Sequence, residues 1–203
     1  MTDSSNYHPG MRALQDRYDT RRLADRLDER LGRAVFTDQD QAFIESRTLF
    51  FLATADAQGR PDCSYKGGVP GFVRVIGPDL LEFPSYDGNG QFRSLGNIGA
   101  NPAVGLLFID FESPKRLRVN GDATVLDDAE TLARHHGAQL VVQVRARRIF
   151  PNCPRYIHKS GSAQLSADAP RPGHEPPAAA WKSMAIIADV LPRTWQGSDD
   201  PIR

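Results

Sequence analysis

The stretch from Gly59 to Gly121 constrains this chain most, because short apolar segments alternate there with polar, glycine-rich corners. In order it reads GRPDCSYKGGVPGFVRVIGPDLLEFPSYDGNGQF, then RSLGNIGANPAVGLLFID, then SPKRLRVNG. Apolar runs this short, punctuated by Gly, Pro, Asp and Asn, specify consecutive antiparallel strands joined by tight turns. Corners with several cations and few acids suit an anionic ligand held by backbone amides and Lys or Arg.

The flanking segments extend the pattern. LFFLATADAQGRPDCSYK reads as strand, turn and strand across Ala57-Gln58-Gly59-Arg60, and FVRVI and LLEFP flank a second turn at Gly77-Pro78-Asp79. Phe92, Leu95 and Ile98 recur at three-residue spacing, which predicts a short helix stopped by Asn101-Pro102. AVGLLFIDF is then a buried strand, KRLRVNGDATVL a long half-exposed one, DDAETLARHHG a helix and QLVVQVRARRIF a last strand. About six or seven strands result, the count of a small closed barrel. The fold class expected is therefore α+β, mainly β, a six- to seven-stranded split β-barrel with flanking helices.

Outside this region, Leu14, Tyr18, Leu23, Leu27 and Leu31 stand amid charges at near-helical spacing with Gly32 after them, predicting a helical N-terminal arm over 1–36. Thr37 is positioned to cap a helix over DQDQAFIESR at the start of the barrel domain, 37–159. The stretch from 160 is rich in Ser, Pro, Ala and Gly and reads as a linker or mobile loop, before WKSMAIIADVLP resumes an amphipathic helix within 160–203.

Composition narrows the function. Lys plus Arg equals Asp plus Glu at 25 each, so no global field draws in nucleic acid or an anionic membrane, and attraction for anions must be local. The longest apolar runs, VGLLFI and MAIIADVL, fall far short of a bilayer span, and the N-terminus lacks a basic segment followed by an apolar one, so a cytoplasmic protein is expected. Cys63 and Cys153 form no CxxC pattern and read as free thiols. His135-His136 lacks the companions of a metal site and reads as a partner for a helix C-terminal dipole. Strand alternation sets Arg145 and Arg147 on one face and Arg148 on the other.

From Phe50 to about Arg155 the chain resembles the pyridoxamine 5'-phosphate oxidase-like superfamily of FMN-binding split β-barrels. The resemblance rests on Gly59-Arg60-Pro61, SYKGGVPGFVRV, PSYDGN, SLGNIGANPAVGLLF, LRVNG and NCPR, in that order and spacing. It implies a homodimer with FMN in two equivalent clefts at the subunit interface, each contacted by both chains. Carried onto this sequence, Ser64 and Lys66 and the Phe72-Val73 strand lie along the flavin, Asn89 and Ser94 hold its phosphate and ribityl chain, and Arg93 and Arg118 are the nearby cations. Arg74, Arg155 and His158 are candidate substrate contacts. The C-terminal Arg-x-His and Trp-rich segments by which authentic pyridoxamine phosphate oxidases read their substrate are not evident here.

A phosphate needs charge-assisted bonds and free amides at a helix start, which Lys66, Arg93, Arg118 and the RSLGNI segment supply. Each cation alone reads equally well as a solvated strand edge. The leading expectation is an FMN-dependent oxidoreductase with an unknown small-molecule substrate. A non-catalytic flavin or haem binding protein and an F420-dependent reductase of the same fold are the alternatives.

Overall fold

The computed structural model describes residues 6–158, 177, 180–191 and 193. The chain divides into two compact units, one formed by 33–169 and the other by 1–32 with 170–203. No helix among the described residues is long and apolar enough to cross a membrane.

The larger unit is built on one seven-stranded antiparallel sheet, with β1 Leu49–Ala55, β2 Pro61–Gly67, β3 Arg74–Gly77, β4 Leu80–Ser85, β5 Ala103–Asp110, β6 Lys115–Leu126 and β7 Leu140–Pro151. Their order across the sheet is β2-β1-β5-β6-β7-β4-β3. The expected split barrel is present, but the sheet is not closed by hydrogen bonds, because β2 and β3 remain its edges. It curls instead around a phenylalanine cluster. Phe50 of β1 meets Phe83 of β4 edge-on at 4.9 Å and Phe108 of β5 at 5.1 Å. β1 and β4 are separated in the sheet by β5, β6 and β7, so this contact requires strong curvature.

Alternation explains why each strand forms. Val104, Leu106 and Phe108 of β5 and Leu117 and Val119 of β6 are buried, while the residues between them are more exposed. The turn between β1 and β2 is held by Asp56, whose side chain accepts from the amides of Gln58 and Arg60, and Gly59 takes φ 77°.

One irregularity overrides strict alternation. Asn120 pairs with Arg148 and Gly121 with Ala146, so Arg147 is the extra residue of a β-bulge. The buried positions of β7 there are Ala146 and Ile149, three residues apart. Arg148 is thereby turned to the outer side with Arg145, which corrects the expected split of the three arginines. Arg145 pairs with Asp79 at 2.6 Å and Arg147 with Asp122 at 3.3 Å, while Arg148 lies over the Phe150 ring.

Helix α3, Asp38–Glu45, starts in a capping box between Thr37 and Asp40, and the Arg33 guanidinium clamps the same buried Asp40 carboxylate. Helix α4, Arg93–Ala100, packs on the sheet through Ile98, and Asn97 donates to Thr54 of β1 at 3.0 Å.

In the smaller unit the expected single arm is two helices, α1 Pro9–Arg17 and α2 Arg21–Leu31, because Asp19 takes φ 52° between them. The helix expected over WKSMAIIADVLP is instead two 3-10 turns, Ala180–Ser183 and Ala188–Val190. Leu23 and Leu27 pack there against Ile186, Ile187, Val190 and Leu191, and Arg26 forks onto Asp189 at 3.1 and 3.2 Å. The linker expected from 160 onward lies almost wholly outside the described residues.

The bulge yields a direct test. A Cβ at Gly121 would lie 2.2 Å from the Arg145 carbonyl oxygen, a backbone atom that cannot move aside alone. Gly121→Ala is expected to destabilise the protein by about 3 kcal/mol, the upper end for a small-to-large clash, as read by chemical denaturation. Gly96→Ala in the interior of α4, where added bulk meets nothing, is the control and is expected to leave stability unchanged or raise it by up to about 1 kcal/mol through helix propensity.

Candidate functional site

A cleft of about 500 Å³ opens between β2, the loop after β4 and the start of α4. That size falls within the range of about 300–1,000 Å³ usual for cofactor and ligand sites. Alternation along β2 turns Asp62, Ser64 and Lys66 to one side, and all three line the cleft. The loop contributes Tyr86, Asp87 and Asn89, and the first turn of α4 contributes Arg93 and Ser94.

The loop reaches the helix through two unusual backbone conformations, Gly90 at φ 70° and Phe92 at φ 47°. A bulky residue in the left-handed region is strained, and such strain concentrates at binding sites. Phe92 occupies the N-cap and makes no side-chain cap, so the first-turn amides of α4 have no such partner. The Asn89 side-chain Oδ1 instead accepts from the Gln91 backbone amide at 3.0 Å. The hydroxyls of Ser64 and Ser94 lie 3.0 Å apart, tying β2 to the helix start.

Two cations flank this point. Lys66 is half-buried and has no hydrogen bond or ion pair among the described residues; burial pushes its ammonium below the ordinary lysine value, against the opposing charge of Asp62. Arg93 is largely exposed and pairs with Asp62, Nε to Oδ1, at 3.3 Å. Two hydroxyls, two cations and open helix amides make a donor-rich corner, in which Asp62 engages Arg93.

Residues 36–170 match the model of the pyridoxamine 5'-phosphate oxidase family. The chain belongs to that family. Among solved structures it is similar to HupZ from Group A Streptococcus, at 22% identity over 57% of this chain and 94% of that one, TM-score 0.45. It is likewise similar to an FMN-binding protein from Syntrophomonas wolfei, at 12% identity over 71% and 97% of the two chains, TM-score 0.46. The heme storage protein HutZ from Vibrio cholerae matches at 19% identity over 55% and 91%, TM-score 0.40. No curated protein matches the chain.

Of the residues singled out in the sequence, Ser64, Lys66, Asn89, Arg93 and Ser94 converge on the cleft of this family member. The others lie elsewhere in the chain's own structure. Phe72 and Val73 are sealed in the core. Arg118 stands on the outer face of β6 over the Phe150 ring, and Arg74 is exposed on β3 with Nη1 3.5 Å from the Arg134 carbonyl. Arg155 lies over the Tyr156 ring and His158 is exposed, both outside the cleft lining. Sequence reasoning passed over Asp62, although it lies two residues before Ser64 and strand alternation sets it on the same side as Ser64 and Lys66. It also passed over Gln139, which enters the cleft only because β7 pairs with β4 and the Gln139 amide donates to Ser85. Cys63 lines the cleft and Cys153 is half-buried, and both are free thiols. No group of three or more metal-ligating side chains occurs among the described residues.

A buried network braces the same wall. Glu82 of β4 is fully buried and accepts both arms of Arg134 at 3.0 Å and Gln143 at 3.2 Å, with His135 Nε2 at 3.1 Å. The helix before it, α5, is Ala129–Ala133, so His135 stands just past the helix end as expected, and its ring is buried against Glu82. Burial alone would raise the Glu82 carboxyl; the Arg134 fork, Gln143 and His135 outweigh it and hold it below the ordinary glutamate value. A carboxyl lowered on folding stabilises the protein above its unfolded value of about 4.3 and loses that contribution as pH falls through the lower folded value. Acid unfolding followed by circular dichroism from pH 6 to pH 2 is expected to show this loss below about pH 4, and Glu82→Gln to flatten it. The same substitution is expected to cost about 3 kcal/mol at neutral pH, because it removes one charge of a buried pair.

Proposed function

We propose that the cleft binds FMN and that the chain is an FMN-dependent oxidoreductase acting on a small molecule other than pyridoxamine phosphate. The observation that carries the reading is the convergence of Ser64, Lys66, Asn89, Arg93 and Ser94, from three separate segments, on one cleft. The donor set fits a phosphate near two negative charges. Lys66 offers a half-buried charge that makes no side-chain hydrogen bond or ion pair among the described residues, Ser64 and Ser94 offer hydroxyls, and the uncapped start of α4 offers amides. Tyr86 and Phe92, both exposed at the cleft, provide apolar surface for a planar ring.

FMN, when bound, supplies the redox chemistry, so the protein itself needs no nucleophile or matched acid and base. The chain's residues bind and orient. Lys66 and Arg93 set the position of the phosphate, Ser64 and Ser94 fix it by directional hydrogen bonds, and the loop carrying Tyr86 and Asn89 restricts water at the ring.

We also propose a homodimer in which each cleft is completed by the partner. The support is the open edge of β2, where Tyr65 and the neighbouring Val69 are 61% and 74% exposed. In this reading Arg74, Arg118, Arg155 and His158, which stand outside the chain's own cleft, are available to the other one.

Titration of FMN into the purified protein, followed by flavin fluorescence quenching, is expected to saturate near one FMN per chain. Lys66→Ala is expected to weaken FMN by about 10- to 100-fold and riboflavin hardly at all, because the lost bond is charge-assisted and only FMN carries the phosphate. Equal losses for both ligands overturn the assignment of Lys66 to the phosphate. Light scattering at micromolar protein with FMN present is expected to give twice the chain mass, and a monomer mass would exclude the shared cleft.

A further inference from the structure

The acid at the centre of the cation cluster calls for its own explanation. A cleft that gathers Lys66, Arg93 and free helix amides for an anion would bind it best with no carboxylate present, yet Asp62 lies on the same face of β2 as Ser64 and Lys66. Its side chain is only 20% exposed, while that of its partner Arg93 is 66% exposed. Asp62 therefore meets the arginine from inside the cleft. The second acid in the lining, Asp87, is engaged differently, accepting from Gln139 Nε2 at 3.1 Å.

We propose that Asp62 is an internal competitor for the phosphate, occupying Arg93 when the cleft is empty and yielding it when a phosphorylated ligand enters. This rests on the phosphate reading of the cleft and adds that the affinity is held down by a residue of the chain itself. An ion pair this exposed to water contributes little and is screened by salt, so a dianion can displace it. The carboxylate stays near the bound phosphate and repels it, which favours release. Lys66 feels the same carboxylate: its ammonium is lowered by burial and raised by the Asp62 charge. Removing that charge therefore acts on both cations, through Arg93 by freeing it and through Lys66 by removing a competing counter-ion.

The test compares wild type, Asp62→Asn, Arg93→Ala and the double variant by fluorescence titration with FMN and with riboflavin at low and at 0.5 M salt. Asp62→Asn is expected to tighten FMN by about 3- to 10-fold at low salt, the effect of removing one partly exposed charge, and to leave riboflavin unchanged. The gain should shrink at high salt and fall to less than half in the Arg93→Ala background. Asp62→Ala serves as a second variant without a side-chain amide, and thermal unfolding of the ligand-free variants checks that each is folded. Unchanged or weaker FMN binding in both Asp62 variants, with wild type still preferring FMN to riboflavin, overturns the competitor and leaves the phosphate site standing. A gain that persists in full without Arg93 overturns the latch. Wild type and variants that all fail to distinguish FMN from riboflavin would remove the phosphate reading itself, and the competitor with it.

Discussion

Seven strands joined edge to edge make an open sheet, and in this protein the side chains around Phe50 bend it. Nothing in the hydrogen-bond ladder connects β2 to β3, so the curl depends on rings from β1, β4 and β5 meeting in one cluster, with Phe72 stacked on Phe50 at 5.9 Å. Aromatic pairs of this kind add about 0.5–1.5 kcal/mol each beyond the area they bury. The cleft inherits its shape from that curl, since β2 lies at one edge of the sheet and β4 next to the other edge. Phe72 and Val73 contribute to the site in this indirect way, by packing the core from which the walls rise.

What could be read from the sequence was what local rules govern. The two hairpins, helix α4 and the polar face of β2 follow from turn residues and from periods of two and of three to four. Ser64, Lys66, Asn89, Arg93 and Ser94 came instead from the family resemblance, carried by the SYK, PSYDGN and RSLGNI segments. Features set by pairing between distant segments were not legible. The bulge at Arg147 depends on how β7 registers against Gly121, so simple alternation misassigned Arg148. Gln139 joins the cleft through the β4–β7 ladder, and His135 is buried because Glu82 lies on the neighbouring strand, more than 50 positions away in the chain. In the N-terminal arm a helical period ran across Asp19, where the backbone turns left-handed and the helix breaks.

The Glu82 network shows why a wall of the cleft can be stiff while its mouth is strained. A buried carboxylate with four hydrogen-bonding contacts, two of them from one guanidinium, fixes the segment after α5 against β4. The loop after β4 then leaves a rigid strand and must reach α4 through Gly90 and Phe92, both at positive φ. That strain is maintained by what surrounds it: Asn97 pins the helix to Thr54, and Ser94 meets Ser64.

The two cations of the cleft have different physical consequences for any anion that binds there. Lys66 is half-buried, so its field is less screened by water and salt and acts at short range on a bound group. Arg93 is mostly solvent-exposed, so it attracts an approaching anion but contributes less once the anion is seated. Affinity therefore follows Lys66, and the salt dependence of association follows Arg93. Asp62 pairs with Arg93, and its charge acts on Lys66 from a distance; in the proposal above, the balance between capture and release lies in that single carboxylate on an edge strand.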